Sequence, residues 1–421
     1  MRQRLVTPSS EILKSLLNTP FRPEPFTLNG KTIPHMRLEI PFPVNDLFAW
    51  LEAQTLYPKV YFETPHDGIV AGVGSAVKIN HIPHFSDKSA PRFFGGRDFM
   101  KRKRKTWKEF PECAYFLPMV QIEKRDTGTY LCINRVSETL NFSIEPEAPL
   151  VNSHKLGSRF DSPSYPVWER EVSEILKGIR QGDSLKVVLA RCTKIETEKK
   201  ASAYSILKSL QGKNRFAFQF SKGQTFIGNS PETLYRRMDN RIESAAIAGT
   251  RARGKTPKEN AKLEDALLNC PKERHELQVV RDTIVSTLSP LCQSLQIDSC
   301  KVLQTPNVQH LHHHIEGVLK EGFSDASLIN ALHPTPAVGG FPKEKAFIEI
   351  GKREAFDRGW YAAPIGYISP NQSHHLVAIR SALIEEDAIR LFAGTGLVNG
   401  STPSREWDEL EHKISQYMGI L

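Results

Sequence analysis

Apolar residues along the chain recur with two periods. Short runs rich in β-branched and aromatic residues, at 59–62, 69–73 and 130–136, alternate or pack as strands do. Further strand patterns fall at 186–196, 215–219, 225–229, 233–238, 301–304, 310–316, 365–369, 375–383 and 388–393. Helical spacing of apolar positions marks 167–181, 202–210 and a charged region, 257–291, interrupted at Pro271. A short amphipathic helix is expected after Pro8-Ser9-Ser10, and a last helix begins at Thr402-Pro403, a good N-cap and first helical residue. Strands separated by helices and hairpins, without a regular βαβ period, predict an α+β architecture on large sheets. The stretch 144–166 is rich in Pro and Ser and lacks periodicity, as a linker or a surface crossing does. It divides an N-terminal part, 1–160, from a core, 161–421.

Composition narrows this picture. With 421 residues, 39% hydrophobic and 24% charged, the chain reads as a soluble globular protein of one large domain or two ordinary ones. No apolar run approaches the roughly 20 residues that span a bilayer, and no secretory apolar segment opens the chain. Six cysteines without a CxxC pair point to reduced thiols, so a cytoplasmic protein is expected. The net charge of +9 permits acidic partners, and residues 101–105 form one basic run. No nucleic-acid motif accompanies that run, which reads as a solvated loop, so neither nucleic acid nor stable membrane association is expected.

Candidate chemistry is densest near the C-terminus. Glu406, Glu409 and Lys413 are spaced i, i+3 and i+7 and share a helix face. Trp407, Leu410, Ile414 and Tyr417 form the neighbouring apolar stripe, so the charged line borders the buried side. That line suits a divalent cation, or a solvated helix with a Glu409–Lys413 ion pair. Glu276 sits equally one position off the apolar line Leu277, Val280, Ile284, Leu288. Two such edge glutamates would share a hard cation if their helices meet.

Lys186 opens the apolar strand KVVLAR. Desolvation there would make its amine a general base; a strand-edge lysine reaching to water is the plainer reading. Glu232, in the turn of GNSPETLY, is a candidate acid. The segments 247–250 and 392–396 read as glycine turns after strands, whose backbone can approach a carboxylate or phosphate. His310, His312, His313 and His314 read as a strand cluster rather than a metal site. His333 opens a rigid proline-rich turn, and Arg380 is a cation in an apolar strand that needs an anion.

The segments KVVLAR, GNSPETLYRR, AIAGTRARG, KERHEL, VQHL, HPTPAVGG, IRSALI, RLFAGTGLV and EWDELEHK, in this order, resemble the chorismate-utilising enzymes, nearest their isochorismate synthase branch. The resemblance covers nearly everything after Asp161, with PRFFGGRDF as a weaker match before it. It implies two large antiparallel sheets facing each other, helices outside, and a site in the cleft between. It implies Mg²⁺-dependent isomerisation of chorismate to isochorismate, as in menaquinone synthesis, with salicylate synthase as the alternative. By the same resemblance Lys186 activates water, Glu232 protonates the departing hydroxyl, and His333 stands near that hydroxyl. Glu276 and Glu409 would be metal ligands, with Glu406 acting through water. Gly249, Thr250, Tyr361, Arg380, Gly396 and Lys413 would contact substrate. A monomer needing no glutaminase subunit is expected. Three departures stand out: Ala363 where glycine is usual, Thr395 for a small alanine, and Gly339 for cysteine or alanine.

Overall fold

In the computed structural model, residues 16–101, 106–139, 142–151, 155–304 and 308–421 are described. The expected N-terminal helix and residues 102–105 of the basic run lie outside them.

Two large sheets, antiparallel throughout, form the frame. The first runs Leu156–Ser162, Lys186–Thr197, Ala388–Leu397, Ser381–Ile384, Thr225–Asn229, Arg215–Gln219, Lys59–Thr64, Gly68–Val73, Val120–Arg125, Gly128–Arg135, Met36–Pro41. The second runs Cys292–Ile297, Val308–Leu319, Arg241–Ala252, Thr233–Met238, Gln372–Val377, Pro364–Ile368, Phe93–Arg97, Cys113–Leu117, Val77–Ile79. They face each other across an aromatic core. Phe62 of the first meets Phe94 and Tyr367 of the second, with ring centroids 6.3 and 5.9 Å apart. Both sheets join strands from before and after residue 160: Lys59–Thr64 pairs with Arg215–Gln219, and Phe93–Arg97 with Pro364–Ile368.

The chain passes between the sheets by very short crossings. Residues 230–232 leave Thr225–Asn229 for Thr233–Met238, and residues 378–380 return from Gln372–Val377 to Ser381–Ile384. The run 375–383, expected as one strand, is therefore two strands in different sheets. Its apolar residues are buried on both sides of the crossing, which hides the break from periodicity. The crossings are tied together: Val377 N–H donates to the Glu232 carbonyl at 3.0 Å, and Asn229 N–H to that of Arg380 at 3.1 Å.

Helices cover the outside. Pro257–Leu268 and Pro271–Leu288 are separate helices, each with Pro in its first turn, as the break at Pro271 predicts. The latter buries Leu277, Val280, Ile284 and Leu288. Pro403–Met418 buries Leu410, Ile414 and Tyr417, and packs beside Tyr165–Arg180 through Trp168 and Trp407.

Other expectations are corrected. The glycine segments near 249 and 395 are strand interiors, in Arg241–Ala252 and Ala388–Leu397. Gly249 takes φ +70° where the pairing with Val308–Leu319 shifts register, a bulge a side-chain-bearing residue would strain. The stretch 144–166 contains the edge strand Leu156–Ser162, whose exposed residues carry no burial signal.

Candidate active site

A cavity of about 160 Å³ opens where the crossings at 230–232 and 378–380 meet the first sheet and two outer helices. Lys186, Glu232, Gly249, Glu276, Tyr361, Arg380, Gly396, Glu406, Glu409 and Lys413, all singled out from sequence, line it.

Lys186 is 3% exposed at the head of Lys186–Thr197, and its Nζ donates to Glu276 Oε1 at 2.6 Å. The adjacent strand makes room for it. Val188 pairs with Gly396, and a Cβ at 396 would lie 2.6 Å from Lys186 Cε. Glycine is thus the residue that lets the lysine cross the strand and reach the cavity.

Glu232 is 6% exposed at the first crossing. Its N–H donates to Ser230 Oγ at 3.1 Å, Ser230 Oγ–H donates to the Val377 carbonyl at 2.6 Å, and Thr335 Oγ1 donates to Glu232 Oε1 at 3.0 Å. Burial pushes the carboxyl up to about 7, against the Thr335 hydrogen bond and the charges of Lys186 and Lys413. Near neutrality a large share of this carboxyl keeps its proton, as a general acid requires.

Arg380 is in the second crossing with φ +51°. Its carbonyl accepts from Asn229 N–H and, at 2.9 Å, from Tyr417 Oη. These two bonds hold a left-handed turn that ordinarily costs about 1–2 kcal/mol for a residue with a side chain. Burial lowers the guanidinium's pKa, so this is a desolvated cation facing the cavity. Tyr361 stacks on Phe392 with centroids 5.1 Å apart and lies across the cavity wall beside Gly394.

Both outer helices face this cavity. Pro271–Leu288 contributes Glu273 and Glu276; Pro403–Met418 contributes Glu406 and Glu409. Burial, then the charges of Glu276 and Glu409, raise the Glu273 carboxyl, so acids from both helices share one field. Burial also raises Glu406, which accepts a hydrogen bond from Thr395 Oγ1. Burial would raise Glu409 as well, but the charge and hydrogen bond of Lys413 bring it below the usual carboxylate range. Lys413 Nζ lies 2.6 Å from Glu409 Oε1 and 2.8 Å from the Gly394 carbonyl.

A model of the chorismate binding enzymes matches residues 75–421. The chain belongs to this family. Similar relatives include the chloroplastic isochorismate synthase of Catharanthus roseus, 33% identical over 84% of this chain and 68% of the relative. Isochorismate synthase 2 of Arabidopsis thaliana is 32% identical over 99% of this chain and 83% of its own. Among solved structures, MenF, the menaquinone-specific isochorismate synthase of Escherichia coli, superposes with a TM-score of 0.83 at 26% identity over 97% of both chains.

Within this chorismate-binding fold some expected residues stand apart. His333 is 1% exposed but outside the cavity lining: a ring nitrogen bonds the Phe99 carbonyl at 3.1 Å, and Phe99 packs edge-on against the ring. Burial holds its pKa well below the ordinary histidine value. Two residues on, Thr335 is the member of that turn that touches Glu232. Thr250 has its backbone in the bulged strand, and its side chain lies outside the described residues. Ala363 is buried but does not line the cavity, so its methyl group does not narrow it; the neighbouring Ala362 adopts φ +58°.

Sequence reasoning passed over Lys272, Glu273 and Thr335, and read His310 only as a member of a strand cluster. Glu273 had a signal, since it stands three residues before Glu276 on the same helix face. His310, pushed down to about 4 by burial, joins the wall through a ring nitrogen 3.3 Å from the Gly249 carbonyl. Its three histidine neighbours in sequence mask it. Glu273 also explains Gly249, where a Cβ would lie 2.8 Å from Glu273 Oε2.

The carboxylate-only set from two helices fits a hard divalent cation. Glu273 and Glu406 are both pushed up in the present arrangement, while Lys186 and Lys413 occupy single oxygens of Glu276 and Glu409. Burial is the first cause of both upward shifts, and the charges of neighbouring glutamates add to it.

Proposed function

We propose that this chain is a Mg²⁺-dependent isochorismate synthase, acting in the route to menaquinone. The observation that carries the reading is that Lys186 and the Glu232 carboxyl, pushed up to about 7 by burial, enter one cavity lined also by glutamates of two helices. The menaquinone assignment draws support from the likeness to MenF over nearly the whole of both chains.

In this reading, Lys186 takes a proton from a water that attacks C2 of chorismate, and the ring double bonds shift. The C4 hydroxyl departs as water with the proton of Glu232. One oxygen enters, one leaves, and no oxidant or second substrate is needed. Thr335 keeps the Glu232 carboxyl oriented by donating to Oε1. Arg380, Tyr361 and the backbone of Gly396 hold the enolpyruvyl carboxylate, and Gly249 and Thr250 flank the ring carboxylate. Glu276 and Glu409, with Glu406 through water, would hold Mg²⁺, which would supply positive charge for the ring carboxylate of chorismate. In this reading His333 serves as a buried support of the turn that carries Thr335.

The test is incubation with chorismate and Mg²⁺ in ¹⁸O-water. Isochorismate carrying one solvent oxygen at C2 is the expected product. Salicylate with pyruvate would instead assign a salicylate synthase, and unchanged chorismate would refute the reading.

A further inference from the structure

A second cleft, of about 780 Å³, lies at the opposite ends of the strands that lead from the crossings. Thr233–Met238 begins next to Glu232 and ends in this cleft with Arg236 and Met238; Gln372–Val377 begins in it and runs towards Arg380. Five guanidiniums line the cleft: Arg22, Arg37, Arg92, Arg125 and Arg236. Its carboxylates are Glu24, Asp67 and Glu123.

The two buried or half-buried acids are already saturated. Asp67 accepts from His374 Nδ1 at 2.6 Å, Tyr367 Oη at 2.8 Å and Thr64 Oγ1 at 2.6 Å. Glu123, 3% exposed, takes Arg37 at 3.0 Å, Arg92 at 3.1 Å and the Nε of Arg125 at 2.7 Å. Against its burial, the charges of Arg92, Arg37 and Arg125 hold Glu123 down to about 2. Glu39, behind the cleft, shares Arg37 and Arg125. Glu39, Glu123 and Cys132 lie close enough together to suggest a metal group, but the guanidiniums on both carboxylates exclude a cation there.

The donors are not saturated. A guanidinium offers five N–H groups. Arg236 Nε is buried and makes no hydrogen bond among the described residues. Its contacts with acids are long, 3.9 Å to Asp67 and 3.5 Å to Glu243. Arg92 lies over the Tyr367 ring, 5.3 Å from its centroid, a contact that restrains its fork. A concave site with surplus guanidinium donors and saturated acids recognises oxygens that carry negative charge.

We propose that this cleft binds a small oxyanion, a phosphate or a carboxylate, with Arg236, Arg92 and Arg22 as its donors. The inference does not depend on which reaction the first cavity performs. The experiment is calorimetric titration of the full chain with inorganic phosphate and, separately, with citrate, at constant ionic strength and against a chloride control. Saturable binding that survives saturation with chorismate is expected. Binding of phosphate alone assigns a phosphoryl ligand and binding of citrate alone a carboxylate. Arg236→Gln and, independently, Arg22→Ala should each weaken it about tenfold, as loss of a charge-assisted donor does, with turnover in ligand-free buffer unchanged. No saturable binding of either anion, binding displaced by chorismate, or binding unaltered in both variants would overturn the proposal.

Discussion

The chain crosses between its sheets by two pairs of short segments, and the pairs differ in what they carry. The N-terminal pair is Gly74-Ser75-Ala76 and Pro118-Met119; the C-terminal pair is Ser230-Pro231-Glu232 and Ala378-Ile379-Arg380. Each pair is laced by backbone hydrogen bonds: Ala76 to Leu117 at 2.9 Å and Met119 to Gly74 at 3.3 Å in one, Val377 to Glu232 and Asn229 to Arg380 in the other. Each uses one left-handed residue. In the N-terminal pair it is Gly74, φ +66°, packed beside Met119 and Leu56. In the C-terminal pair it is Arg380, held by Asn229 and Tyr417. The same backbone device thus closes the sandwich at one place and opens a charged cavity at the other. Strain is tolerated by arginine where it aims a cation, and avoided by glycine where nothing needs aiming.

The largest test of this contrast is Lys186→Ala, which removes the proposed base facing the C-terminal crossings. Turnover should fall by ~10³-fold or more, with chorismate still binding in the presence of Mg²⁺ by calorimetry. Turnover at the wild-type rate would remove Lys186 from the chemistry.

Next is Glu232→Gln, expected to cost ~10²–10⁴-fold in kcat. In the proposed chemistry Glu232 works protonated, so kcat/KM should decline as pH rises through about 7, and the variant should lose that alkaline limb. The same raised carboxyl gives a stability signature. Its contribution is present below the usual value of 4.5 and is lost as pH rises through about 7; Glu232→Gln should flatten this decline in a Tm-against-pH series.

A smaller effect is expected from Glu409→Gln, which removes one charge of the proposed metal set from one helix only. The concentration of Mg²⁺ for half-maximal activity should rise roughly tenfold, and calorimetric Mg²⁺ affinity should fall in parallel. Activation at the wild-type Mg²⁺ concentration would take Glu409 out of the metal set.

The smallest effect on turnover belongs to the N-terminal crossing. Gly74→Ala puts a Cβ 3.2 Å from that of Met119 at a left-handed residue. Stability should drop by about 1–2 kcal/mol, read from denaturant unfolding, with kcat and KM unchanged. A loss of kcat comparable to that of Glu232→Gln would erase the distinction between the two crossings.

Much of the site was legible because helix spacing sets a face whatever the surroundings. Glu276 is one position off its apolar line, and Glu406, Glu409 and Lys413 share a line, so their presence at a semi-buried edge follows from local geometry. The misreadings have a different origin. Alanine and glycine in Arg241–Ala252 contribute little hydrophobic contrast, so that strand was invisible and Gly249 looked like a loop. A continuous apolar run cannot say which sheet its two halves join, so Arg380 looked like a strand residue. His333 and Thr335 are neighbours in one turn, and nothing local decides which of them meets Glu232.

By itself the sequence determined the local periods: which segments extend or coil, which glutamates border an apolar stripe, and that a lysine begins a buried strand. It also carried the ordered motifs that point to the chorismate-binding enzymes. Tertiary structure alone decided that Lys186 and Glu276, ninety positions apart, touch, that two helices aim their acids at one cavity, and that burial pushes the Glu232 carboxyl up to about 7. The physical reason is range. Backbone propensity acts over a few residues, whereas desolvation and charge act through space between elements whose neighbours are set by the order of strands in the sheets.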